Sequence, residues 1–189
     1  ISGFYPGALT SYVYWASEGR SRLLERKLDE KQARLVKSFT PLLAGTISAD
    51  EFGRIVYRDW RGSVADLQTA SSLAKEATGV LLPLLTVDGD CLVLVEEPEA
   101  HLHPGAQIVM SLLLASLPSL CGCRVVASTH SDLLAITLSQ LAVQKPDKEW
   151  VKDLLERLLE KLIGKPSEEM LQQLREGVDV LAEYVAKST

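Results

Sequence analysis

Histidine and cysteine are scarce, three of each in 189 residues. An odd cysteine count, spread over Cys91, Cys121 and Cys123, is not the framework of a disulfide-stapled secreted domain. Cys121-Gly122-Cys123 reads as a turn feeding the strand that begins at Arg124, in preference to a metal or redox site. A zinc site would need His101, His103 and His130, or a cysteine, to converge. No run of about 18 apolar residues occurs, so no membrane span is expected. The opening residues, ISGFYPGALTSYVYW, lack a basic region followed by an apolar core, so they are not a signal peptide. They also lack an initiator methionine, and the chain reads as a fragment of something longer or as a processed product. The expected location is cytoplasmic. There is no internal repeat and no low-complexity tract. Positive charge is in the minority, giving a net charge of −5 and a pI near 5.3. That argues against a dominant nucleic-acid surface and leaves room only for a local basic patch. The phosphate-cradling string G-x-x-x-x-G-K-[ST] is absent as well. Gly3 to Gly7 has no Lys-Ser/Thr behind it, and Gly164-Lys165 runs into Pro166.

What is present centres on Cys91 to Pro104, CLVLVEEPEAHLHP. Cys91 to Val95 is apolar, and the β-branched Val93 and Val95 favour an extended, fully buried strand. Glu96 and Glu97 follow, and Pro98 stops the strand because it has no N–H for a ladder. A second strand of the same design, Arg124 to Ser128, runs into Thr129-His130-Ser131. The apolar segment Gly105–Leu117 between them predicts a helix, with Pro104 near its first turn and Pro118 at its end. Strand, helix, strand, helix implies parallel pairing and a right-handed crossover. Ligands of open α/β sheets bind at the C-terminal strand edge. Here that edge would carry Glu96, Glu97 and His130 together.

A hydrophobic strand, two acids, Pro-Glu-Ala-His-Leu-His-Pro and a later strand ending Ser-Thr-His-Ser resemble the C-terminal half of an ABC-type ATPase. Within that superfamily the stretch from about Ala70 to Leu134 is most similar to OLD-like and RecF/SMC-like ATPases, including predicted AAA-like ATP-binding proteins. The resemblance implies an α/β fold: the C-terminal lobe of a P-loop ATPase, with a mostly parallel sheet flanked by helices. It implies ATP and Mg²⁺ as cofactors. Glu97 corresponds to the carboxylate that activates water. Glu96 stands where the family usually places the aspartate of the Mg²⁺ shell, one methylene longer. His130 corresponds to the switch histidine that contacts the γ-phosphate, and Pro98 to Pro104 to the loop that crosses a dimer interface. Ser71 and Ser72 correspond to the signature motif, although Leu73 replaces the usual small residue. The resemblance further implies a head-to-tail homodimer and an N-terminal lobe carrying the phosphate loop. This chain alone is expected to be inactive. A degenerate ATPase half serving as a non-catalytic assembly module is the alternative. An OLD-type nuclease would need further acidic strand ends after His130, and none follows.

The remaining chain divides into three parts by composition. Residues 1–44 read as an entry segment, 1–19, and a charged helix, Arg20 to Lys37, with seven Lys/Arg against three Asp/Glu. A solvated face is the expected fate of that charge, ahead of a nucleic-acid surface. Residues 45–144 form the ATPase-like lobe. In it Gly45–Trp60 reads as a β-hairpin turning at Asp50–Gly53, followed by an extended piece at Val64–Gln68. Ser71 and Ser72 open a helix in a capping-box pattern with Glu76, at an N-terminus suited to an anion. Asp88-Gly-Asp90 is a turn, preferred over half of a metal site. Residues 145–189 form a helical hairpin, broken at Gly164-Lys-Pro166 and recapped at Ser167, packed on the sheet domain or used for dimerisation.

Overall fold

The computed structural model describes residues 7–25, 28–87, 89, 92–163 and 165–188, with their side chains except at 7–13, 15 and 72. The Asp88–Asp90 turn, Cys91 at the start of the key strand, Gly164 and the first six residues of the entry segment fall wholly or largely outside these. The element order is α1 (Gly7–Leu24), α2 (Glu30–Leu43), β1 (Gly45–Ala49), β2 (Ile55–Asp59), β3 (Val64–Asp66), α3 (Ser72–Leu84), β4 (Leu92–Glu96), α4 (Pro104–Cys121), β5 (Arg124–Ser128), α5 (Asp132–Gln144), α6 (Lys148–Leu162) and α7 (Glu168–Ser188). The chain is therefore α/β. β1, β2 and β3 form an antiparallel sheet, and β4 pairs with β5 in parallel across the α4 crossover.

The hairpin matches the sequence expectation. Ala49 pairs with Ile55, and the Asp50 carboxylate accepts from the amides of Phe52 and Arg54, which closes the turn. The N-terminal region differs. Residues 7–19 are helical within α1, and the expected single charged helix is two, α1 and α2. The physical reason lies at Asp29, whose carboxylate accepts from the Gln32 amide while the Gln32 side chain accepts from the Asp29 amide. That reciprocal capping box starts a new helix inside the charged stretch. Its basic residues also have intramolecular work. Arg22 and Lys31 donate to the carbonyls of Leu85 and Val87 at the end of α3. Gln32 adds a third donor at Leu85. Together they satisfy carbonyls that a helix C-terminus leaves open. Lys37 pairs with Glu176 at 2.9 Å, and Arg34 donates to the Tyr184 hydroxyl at 2.7 Å.

Two prolines sit inside the last turns of their helices, one of them, Pro118, where the sequence predicts a helix end. Pro41 lies within α2, which closes on left-handed Ala44. Pro118 lies within α4, which runs on to Cys121 and closes on left-handed Gly122. One lost N–H near a helix end is cheaper than losing the final turn. The turn reading of Cys121-Gly122-Cys123 holds, with both thiols buried.

α4 is the centre of the core. Val109, Leu112, Leu113 and Leu117 on it have no accessible surface. Its buried serines, Ser111 and Ser116, donate back to Gln107 O and Leu113 O, so neither leaves an unmet donor. Its length and mean hydropathy would suffice to cross a membrane, contrary to the count of apolar residues alone. In the fold, 61% of it is buried, packed by α2, α5 and α7. α7 lies against both α2 and α4, and α6 lies on α7.

The α2–α7 crossing depends on Gly177. A Cβ there would stand 2.7 Å from Lys37 O and 2.9 Å from Thr40 Cβ. Gly177→Ala gains helix propensity of about 1 kcal/mol but overpacks the crossing by about 1–3 kcal/mol or more, because backbone cannot move aside cheaply. The expected result is a melting temperature lowered by a few degrees in a thermal scan. An unchanged or raised value would show that the helices separate without cost.

Candidate functional site

β4 carries Leu92, Leu94 and Glu96 on one face and Val93 and Val95 on the other; β5 does the same with Arg124, Val126, Ser128 against Val125 and Ala127. The inner set packs on the core. The outer set is open: Leu92 is 55% exposed, Leu94 71% and Val126 57%. The fully buried strand expected from composition is thus buried on one face only. Continuous hydrophobicity signals two covered faces in a parallel sheet. Within the described residues only one face has its cover.

Both strands end at the same level. Glu96 stands opposite Ser128 in the register, and the Glu97 amide extends the ladder by donating to Ser128 O at 3.0 Å. Glu97 has a left-handed backbone, φ 46°, and so does His101, φ 59°. Non-glycine residues rarely adopt this conformation, and it persists only where the surroundings hold it. The holding bonds are Ala100 N to Glu97 O and Leu102 N to Glu99 O, each 2.9 Å. The backbone thus turns sharply at the second acid. His130 follows β5 by two residues, and its Nε2 lies 3.4 Å from Glu97 Oε1. The side chains are 88% and 50% exposed, so both face solvent. Glu96, Glu97 and His130 therefore gather at one sheet edge, as the strand endings implied.

Behind the acids runs a groove of ≈ 640 Å³ between α3 and β4, lined by Lys75, Glu76, Val80, Val93, Glu96 and Glu97 among others. Ser71 is not among the lining residues, and Ser72 begins α3 directly after it. They stand a turn earlier at the start of α3, where Ser71 is the N-cap and its Oγ accepts from Ala74 N. The third helical residue is Ala74 rather than a glutamate, so Glu76 closes no capping box.

Two residues that the sequence reading left without a role tie the site together. Glu99 Oε1 accepts from Thr129 Oγ1 at 2.6 Å, His130 N at 2.7 Å and Ser131 N at 3.1 Å. Burial works to raise its carboxyl's pKa, but the bonds from Thr129, its own amide, His130 and Ser131 outweigh that and hold it below the usual range. Gln107, in the first turns of α4, donates to Leu102 O and accepts from Ser131 Oγ. Ser131 in turn caps α5 by accepting from Leu134 N. An acid directly after a strand-ending proline was the one available hint for Glu99; nothing in the pattern marked Gln107.

The donors suit a hard cation better than zinc. Glu96 and Glu97 offer exposed carboxylates, and Mg²⁺ takes one or two of these with water and phosphate oxygens for the rest. Among the described residues no group of three or more His, Cys, Asp or Glu is assembled for a metal. His103 Nδ1 is engaged as the N-cap of α4, accepting from Gly105 N. So the zinc alternative of His101, His103 and His130 does not form.

Residues 86–135 match the family model of the AAA ATPase domain. The match spans roughly a quarter of the chain and holds β4, α4, β5, both acids and His130. It supports ATPase-type function, and with it the use of nucleotide, typically with Mg²⁺. Ser71 and Ser72 lie outside it. No curated protein and no solved structure matches the chain.

Proposed function

We propose that this chain is the C-terminal lobe of an OLD/SMC-like, ABC-type ATPase that hydrolyses ATP with Mg²⁺ at a head-to-tail dimer interface. The carrying observation is the left-handed Glu97, held beside His130 at the C-terminal edge of a parallel strand pair within the AAA-like segment.

In this reading Glu97 orients the attacking water and accepts its proton. His130 reads the terminal phosphate from the neighbouring strand, at a side chain that stands in solvent. Glu96 would hold the Mg²⁺ shell; the ion, when bound, supplies charge compensation at the phosphates. Ser71 and Ser72 belong to the second composite site, because a helix N-terminus offers its amides to phosphate of a partner's nucleotide.

The cradle for the phosphates would come from an upstream lobe with the G-x-x-x-x-G-K-[ST] string. The bare outer face of β4 and β5 supports such a lobe, since Leu94 and Val126 lie apolar and uncovered. The test is phosphate release from ATP by the protein expressed together with the polypeptide encoded before Ile1. The expected result is Mg²⁺-dependent hydrolysis. An upstream sequence without the phosphate string, or an intact protein with no hydrolysis, favours the degenerate assembly module instead.

A further inference from the structure

The geometry points to Glu99 as a positioning residue: with Gln107 it locks the β4–α4 loop to the β5–α5 loop, so that Glu97 and His130 move as one unit. The inference rests on the catalytic reading above for its consequence, but not for its physical content.

The two loops come from strands separated by the whole of α4. Beyond the ladder itself, three bonds converge on one oxygen of Glu99 from three consecutive residues, Thr129, His130 and Ser131. The central donor is the amide of the residue whose imidazole faces Glu97. The carboxylate therefore does not touch the reacting groups; it sets where the His130 backbone stands. Charge-assisted bonds of this kind are shorter and about twice as strong as neutral ones. The Thr129 hydroxyl also accepts from Ser131 N at 2.9 Å, which stiffens the turn. Gln107 makes the second point of attachment, reaching Leu102 O in one loop and Ser131 Oγ in the other. Glu99 Oε2 is buried with no donor among the described residues. Here one oxygen carries the whole load, and that load is the His130 loop.

A shift of either loop is then transmitted to the other. The loop holding Pro98 to Pro104 faces outward at His101 and His103, so a contact made there reaches His130 through Glu99.

The experiment has two arms on Glu99→Ala and the near-isosteric Glu99→Gln. The first is amide hydrogen exchange in this chain. Removing the carboxylate should speed exchange at His130 and Ser131 by about tenfold or more, with the β4–β5 ladder amides unchanged, as expected for local opening. The second is steady-state hydrolysis by the ATPase with its upstream lobe. There kcat should fall by about 10²-fold, the scale of a misplaced catalytic group, while KM for ATP stays within about threefold. Glu99→Gln, a neutral and weaker acceptor, should fall between wild type and alanine in both arms. Wild-type exchange at His130 and Ser131 in the alanine variant overturns the proposal. So does a kcat per folded molecule that does not change. If Glu99→Ala does not fold, Glu99→Gln is judged by the same two criteria. If the wild-type protein hydrolyses no ATP, the catalytic reading fails by itself. The exchange arm then decides the brace alone, faster exchange supporting it and unchanged exchange removing it.

Discussion

Glu97→Gln in the proposed two-lobe ATPase is expected to abolish turnover, by about 10³-fold, within the span a positioned general base supplies. Glutamine has nearly the same shape. It keeps the backbone bond from Glu97 N to Ser128 O and the one from Ala100 N to Glu97 O, so the left-handed turn survives. What it loses is the proton acceptor and the negative charge beside His130. Nucleotide binding should persist, because in the proposed assembly the phosphates are held by the upstream lobe. Phosphate release and equilibrium nucleotide binding, measured on the same preparation, separate the two effects. Turnover at the wild-type rate would remove Glu97 from its role and leave the acid pair as a structural feature. Loss of binding together with turnover would mean that the side chain holds the nucleotide rather than the water.

The strand pair and its carboxylates were legible because their signal is local. Val93 and Val95 predict a strand, Pro98 ends it, and the order of elements implies parallel pairing. The two strands begin and end as expected, apart from Cys91, which lies outside the described residues. What could not be read was long-range. Asp29 and Gln32 make a capping box that any charged stretch could hide, so α1 and α2 merged into one expected helix. Pro118 looked like a stop because proline's local rule says nothing of how much a final turn gains from burial. Glu99 drew no role because its three donors come from residues about thirty positions away. The bare face of β4 and β5 was hidden by the same composition that identified the strand. Alternating exposure cannot be seen when both faces are apolar.

The same bare face bears on the chain by itself. Titrating these 189 residues alone with Mg-ATP should give no binding heat at micromolar concentrations and no hydrolysis. The argument is electrostatic and geometric. Binding a triphosphate takes an array of donors or cations converging on its oxygens. At the C-terminal edge of β4 the side chains are Glu96 and Glu97, both exposed, and the nearby groove adds Glu76 beside its single lysine, Lys75. The carboxylates repel the phosphates unless a cation and a phosphate cradle intervene. Ser71, with its Oγ already accepting from Ala74 N, leaves only the first amides of α3 to offer. One helix start does not replace a loop wrapped around the phosphates. The fold itself should be intact, since α2, α5 and α7 of this chain pack around the α4 core, and circular dichroism should show a cooperative melt. Replacing Leu94 with lysine tests what the open face is for. In the isolated chain a side chain that is 71% exposed can change to lysine with little effect on stability. Where the proposed upstream lobe docks on this face, the same change buries a charge without a partner and should cost several kcal/mol of docking. Tight stoichiometric binding of Mg-ATP by the isolated chain would place the phosphate site within these residues, and the two-lobe reading would fall with it.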